Sequence, residues 1–356
     1  MPTKQSKEIA KTVARLLKEV PSRNKDIIVR RFGLKNGKKE TLESIGQSYN
    51  VTRERVRQIE EASLSQLKDV FAGHGEVEPY VSLARQIVSD NGGVIKEDEL
   101  FEQFSGNKGD SVANASLAFI LTLHGELARF SENDGFHSFW AINKNTLDNF
   151  KSSSGELVRM LDKTGRVVPE QDFHYLAQKN NIASFSSAGK PISPEELNVA
   201  MAISKELDKN IFAEIGLARW PEVKPKGVRD KAYLVLKREN EPKHFSEIAK
   251  LINTIGFNNR KANVQTVHNE LIKDNRFILV GRGMYALSEW GYKAGTVKDV
   301  LVDILKSAGR PLAKTTLMAK VMDARMVKEN TVLLNLQDSK TFVRNADGTY
   351  SLRSGR

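Results

Sequence analysis

Four polar side chains within six residues, Arg53, Glu54, Arg57 and Gln58 of VTRERVRQIE, are of the types that read base edges in duplex DNA. Arg can donate two hydrogen bonds to guanine O6 and N7, Gln can pair with adenine N6 and N7, and Glu can accept from cytosine N4. At about 100° per residue on a helix, these four and Glu61 fall within one arc. Val56, Ile59, Ser63 and Leu67 recur at spacings of three and four on the other side, the pattern of a buried stripe. The polar arc also lies toward the N-terminal end, which a recognition helix presents to the major groove. Taken alone, such an arc fits a solvated face stitched by i,i+4 pairs better than it fits a DNA reader.

The elements in front of the arc favour DNA reading. Thr52 is a good N-cap for the helix that carries it. Before it, Leu42, Ile45, Tyr49 and Val51 form a short apolar set around Gly46, as expected of a preceding helix and turn. Two helices joined by three or four residues make a helix-turn-helix.

PSRNKDIIVRRFGL followed by TLESIGQSYNVTRERVRQIE resembles region 4 of the primary bacterial sigma factors, over roughly Val13 to Leu67. The resemblance implies recognition of a promoter minus-35 element, with Arg53, Glu54, Arg57 and Gln58 at the base-reading positions. Arg31, Thr41, Leu42 and Glu43 match positions near the DNA backbone, and Arg55 fits a flanking phosphate contact. The resemblance further implies docking on the beta flap of core RNA polymerase. Sigma regions 2 and 3, which open the minus-10 element, have no counterpart here, so promoter melting by this chain alone is not expected.

With 356 residues the chain is long enough for two to five units, and 40% hydrophobic residues can bury real cores. No run of about 18 apolar residues is present to span a membrane. MPTKQSKEIAKTVARLLKEV is charged and periodic, unlike a secretory signal, so an intracellular protein is expected. The absence of cysteine excludes thiol nucleophiles, disulfides and Cys-ligated metal sites. The net charge of +11 makes a polyanion the first partner to consider. Its distribution is basic, acidic, basic: +7 over residues 1–70, −7 over 71–225 and +11 over 226–356.

Beyond residue 75 four segments share one order of helix, turn, helix, helix and hairpin. Aligning Ile142, Leu217, Leu287 and Leu352 gives steps of 75, 70 and 65 residues. This is a winged-helix plan, with hairpin turns at 133–135, 281–283 and 346–348; the second segment has a weak turn and a long insert, NNIASFSSAGKPISP. Linkers are expected at 76–79, 143–155 and 221–227. The third segment, about Val228 to Trp290, resembles the HARE-HTH winged-helix family, found in the delta subunit of bacterial RNA polymerase and fused to DNA-processing proteins. Its candidate recognition helix runs from Asn263 to Asp274, with Lys261, Gln265, His268 and the wing residue Arg282 placed to meet phosphate or a groove. In the fourth segment Lys314, Lys320, Arg325 and Lys328 are similar candidates.

No catalytic constellation is evident. The histidines show no metal spacing, and GRPLAKTT (309–316) lacks the second glycine of a phosphate loop. The expectation is therefore a mainly α, non-enzymatic chain: a helix-turn-helix (1–72), then winged-helix repeats of three helices plus a β-hairpin (77–143, 150–220, 226–292 and 296–352). The expected function is sequence-specific binding of double-stranded promoter DNA in bacterial transcription initiation. Core RNA polymerase is the second expected partner; a cytoplasmic, nucleoid-associated location follows, with no cofactor, metal, membrane or small-molecule ligand. The alternatives are a polymerase-associated, delta-like adaptor with little sequence readout, or the DNA-targeting subunit of a modification or defence system.

Overall fold

The computed structural model describes residues 4–353 other than 73, 74, 258, 259, 294 and 326. The chain forms two compact units, residues 1–219 and 220–356.

The first unit begins with α1 (Lys4–Leu16), α2 (Ser22–Phe32), α3 (Leu42–Ser48) and α4 (Arg53–Ala72). Local chemistry sets these boundaries. Pro21 precedes α2 and Gly33 ends it at φ +73°, a conformation that favours glycine. Thr41 caps α3 by accepting from the Ser44 amide at 3.1 Å, and Thr52 accepts from the Arg55 amide at 3.2 Å to start α4. Between them Gly46 lets the turn close, since a Cβ there would stand 2.7 Å from the Val51 carbonyl oxygen. Ile27, Ile45 and Val56 are fully buried at the centre, with Leu42, Tyr49, Val51 and Ile59 around them. Each such aliphatic side chain stabilises the fold by about 1.5–3 kcal/mol.

Next come α5 (Glu78–Asp90), β1 (Val94–Lys96), α6 (Glu97–Ser105), α7 (Val112–His124), β2 (Ala128–Phe130) and β3 (Phe139–Ala141). They are followed by α8 (Lys144–Thr164), β4 (Val168–Pro169), α9 (Glu170–Lys179), α10 (Pro194–Ile203), β5 (Leu207–Lys209) and β6 (Glu214–Leu217). The second unit repeats the order twice: first as α11 (Val228–Glu239), β7 (Lys243–His244), α12 (Phe245–Ile255), α13 (Val264–Lys273), β8 (Phe277–Gly281) and β9 (Met284–Leu287). It then runs as α14 (Val297–Ala308), β10 (Leu312–Ala313), α15 (Lys314–Ala324), α16 (Glu329–Leu336), β11 (Phe342–Arg344) and β12 (Thr349–Leu352).

Each of the four segments folds its strands into an antiparallel three-stranded sheet with the last strand in the middle: β1-β3-β2, β4-β6-β5, β7-β9-β8 and β10-β12-β11. In every one the residue just before the second helix pairs with the central strand: Lys96 with Phe139, Pro169 with Glu214, His244 with Met284, Ala313 with Thr349. The turn of the second segment's hairpin, residues 210–213, has no glycine. Asn210 turns it instead, its side-chain oxygen accepting from the amides of Phe212 and Glu214.

The insert between α9 and α10 is held by one buried carboxylate. Glu196 accepts from the hydroxyls of Ser184 and Ser186 and from the amides of Phe185, Ser186 and Ser193.

Two expected linkers are structured. Asn143 caps α8, and residues 144–155 form its first half, burying Phe150, Ser153 and Ser154; the Ser153 hydroxyl donates to the Ala183 carbonyl at 2.8 Å. At 76–79 Val77 is buried and α5 starts at Glu78. Polar composition marked both stretches as linkers, and tertiary packing overrides it.

The helix-turn-helix shares its core with the segment that follows. Ile9, Val13 and Leu16 of α1, Ile28 of α2 and Leu67 of α4 belong to one apolar cluster with Val81, Phe104, Leu117, Phe119, Ile120 and Trp140. Phe32 meets Phe119 edge-on at 5.0 Å between ring centroids, and the Thr12 and Tyr80 hydroxyls are 3.1 Å apart. The element at the centre is α7, VANASLAFILTLH, whose residues 114–121 are all buried. A helix apolar on every side needs neighbours on every side.

Candidate nucleic-acid interface

The buried stripe of α4 is Val56, Ser63 and Leu67, with Ile59 half-buried, and it orients the opposite face outward. Arg53, Glu54, Arg57, Gln58 and Glu61 are all exposed. The helix-turn-helix therefore brings the four expected base-reading side chains together on the first two turns of one helix. Two ion pairs organise them. Arg57 donates to both oxygens of Glu54, at 2.7 and 2.9 Å, and also pairs with Glu61 one turn on. The Arg57 hydrogen bonds hold the Glu54 carboxyl below the usual carboxylate range, while the two carboxylates push the Arg57 guanidinium further up. Arg55 donates to the Gln58 side-chain oxygen at 3.2 Å. The arc thus carries alternating donors and acceptors, which base edges require.

The expected backbone-contact residues have varied surroundings. Thr41 is exposed and spends its side-chain oxygen on the α3 cap; Glu43 is exposed, and Leu42 is half-buried against Ile45 and its neighbours. Arg31 is half-buried at the rim of the α4 arc, where its Nε donates to Glu60 at 3.3 Å and its Nη1 to the Glu40 carbonyl at 3.1 Å. Neighbouring Arg30 grips both oxygens of Glu40 and the Ser48 hydroxyl, tying α2 to both ends of α3. In the second unit Lys261, Gln265 and Arg282 are exposed, and Asn263 caps α13 with Asp274 at its far end.

A cleft of about 380 Å³ separates the helix-turn-helix from the next segment, lined by Arg31, Phe32, Lys39, Glu60, Arg129 and Trp140 among others. Burial pushes the Glu60 carboxyl up, against the pull of Arg31, and pushes the Lys39 ammonium down. Beside it Glu97, 7% exposed, accepts two hydrogen bonds from Arg129 and one from the Trp140 indole. These groups satisfy one another, as buried charges must. Among the described residues no cluster of His, Asp and Glu could hold a metal ion, and no helix is long and apolar enough to cross a membrane.

Sequence reasoning missed the role of α7. Its composition, apolar all round but for the short polar residues Asn114, Ser116 and Thr122, was the available signal, since a surface recognition helix keeps one polar side.

Comparison with known proteins bears on the same segment. Residues 16–69 match the family model Sigma-70, region 4. This stretch is similar to sigma-70 region 4. RNA polymerase sigma factor SigA1 of Synechococcus elongatus is 44% identical over 66 residues, covering 17% of this chain and 16% of that protein. RNA polymerase sigma factor RpoS of Coxiella burnetii is 35% identical over 71 residues, 20% of each chain, and SigA of a Nostoc species is 46% identical over 54 residues, 15% of this chain and 14% of its own. The chain spans a fifth or less of the length of these relatives. The likeness is thus to one region of RNA polymerase sigma factors and is confined to the segment that carries the polar arc.

Proposed function

We propose that the chain binds double-stranded promoter DNA sequence-specifically, α4 entering the major groove at a minus-35-like element with Arg53, Glu54, Arg57 and Gln58 on base edges. The observation that carries this reading is the exposed polar arc on the first two turns of α4, capped by Thr52 and fixed outward by Val56 and Leu67. Arg55, Arg31, Thr41, Leu42 and Glu43 serve the flanking backbone. The four α-β-α-α-β-β segments are winged-helix repeats, the third of HARE-HTH type, in which Lys261, Gln265 and Arg282 meet phosphates. The role is non-enzymatic, and core RNA polymerase is the protein partner, its beta flap taking the region 4 segment.

In-vitro selection of duplex DNA by the full chain, with and without core polymerase, tests the proposal. Enrichment of a TTGACA-like motif without polymerase supports direct reading; random selected sequences overturn it.

One observation favours the adaptor as the second reading. The third helix of a winged helix is its usual DNA reader, yet α7 is buried and α10 buries Leu197, Ala200 and Ile203. The exposed counterparts carry little positive charge: α13 has one lysine and one glutamate, and α16 has a glutamate and no cation. Flat, weak DNA binding over a salt series, with polymerase co-purification, marks the adaptor; a DNA binder loses about 0.9 log unit of affinity per phosphate contact per log unit of salt.

A further inference from the structure

Within the second unit, a cleft of about 510 Å³ opens between the third and fourth segments. One wall carries Trp290, Tyr292 and Lys293, which follow β9, and the other carries Lys320, Asp323 and Ala324 of α15. Both rings are half-buried, while the two ammonium groups belong to exposed residues. One carboxylate thus faces two lysines beside two aromatic rings.

A third cation, outside the cleft's lining, sits at the C-terminal end of α15. Arg325, next in the chain to Ala324, is only 5% exposed, yet among the described residues its side chain makes one hydrogen bond, from Nη2 to the Leu279 carbonyl of β8 at 2.8 Å. Its Nε and Nη1 are buried without an acceptor among the described residues. Asp299, the carboxylate whose charge reaches it, already accepts from the Thr296 amide and hydroxyl at 2.7 Å each. A buried guanidinium lacking a bound carboxylate leaves its charge incompletely neutralised, and in a medium of low dielectric that charge acts at a distance. The cleft itself, with Lys293 and Lys320 against Asp323 beside Trp290 and Tyr292, combines an excess of positive charge with aromatic surface. An acidic small molecule would use the first feature and an apolar peptide the second. A nucleotide uses both, because every base has a π-face and every link a phosphate.

We propose that this cleft holds a nucleotide unit of a single nucleic-acid strand, its base stacked on Trp290 or Tyr292 and its phosphate beside Lys293 and Lys320. The inference goes beyond duplex reading by α4 and concerns the other unit of the chain, so the two fail separately.

Anisotropy of labelled single-stranded DNA oligomers with the full chain is the test. Tyr292→Ala weakens single-strand binding roughly tenfold, within the range of one lost stack. Lys293→Glu with Lys320→Glu, both at exposed positions, weakens it at least as far and lowers the salt slope by about 0.7 per lysine. Arg57→Ala leaves single-strand binding unchanged. The proposal is overturned if the parent chain does not bind the oligomers, or if the lysine reversals bind them as the parent does. Equal competition by a free mononucleotide rules out a strand as occupant, and loss of single-strand binding in Arg57→Ala moves the strand to α4.

Discussion

Arg57 and Glu54 face each other as a two-pronged pair on the outer surface of α4, with Nη2 and Nε of the guanidinium 2.7 and 2.9 Å from the carboxylate oxygens. The same fork is what a guanine edge engages. Reading DNA through Arg57 thus exchanges an internal partner for an external one. Arg57→Ala is expected to cost about 1–3 kcal/mol on the preferred duplex and to relax specificity at that position. Competition binding with selected and random duplexes measures it, and unchanged preference would end the base-reading proposal.

Glu61 competes for the same guanidinium from one turn further on. Exposed i,i+4 pairs of this kind are worth about 0.3–0.5 kcal/mol. Glu61→Gln should therefore tighten duplex binding about twofold, while the base preference stays as it was. A weaker complex would show that Glu61 itself takes part in the contact.

The shared core predicts shared unfolding. Phe119→Ala removes a fully buried ring of α7 that meets Phe32 of α2, at a cost of about 3–5 kcal/mol. Urea unfolding followed by exchange at amides of α2, α4 and α7 should show all three destabilised together. Destabilisation of α7 alone would mean that the helix-turn-helix stands without it.

Glu60 gives the junction a pH signature. Burial raises its folded-state pKa above the ordinary glutamate value of 4.5. The neutral form is thus favoured by folding: its contribution is fully present below the unfolded pKa and is lost as pH rises through the folded one. Thermal melts of Glu60→Gln and the parent chain should diverge over that interval, the parent losing stability relative to the variant as pH rises. Parallel curves would mean that Arg31, whose Nε lies 3.3 Å away, compensates the burial fully.

Features set by local chemistry were legible in the sequence. The cap at Thr52, the stripe through Val56 and Leu67, and the boundaries of α13 at Asn263 and Asp274 follow from spacing and cap types. The turns at Gly283 and Gly348 follow from their positive φ. What escaped depends on residues far apart in the chain. KNTLDNFKSSSG has the composition of a linker and is helical because Phe150 packs against Phe139 and Phe185. The half-buried state of Arg31 depends on Glu60, 29 residues away, and is invisible in RRFGL. The charge pattern located the basic ends, yet the exposed third helices of the second unit, α13 and α16, carry almost none of that charge.

The burial of α7 beneath α1, α2 and α4 also bears on how such a chain evolves. A recombination event that copied only the first 72 residues would deliver the reading face with Ile9, Val13 and Leu67 stripped of their cover, and the product would clump before it met DNA. The heritable unit of the proposed DNA reading is longer than the motif that would do the reading, and a domain shuffled at the apparent seam would be lost from the population.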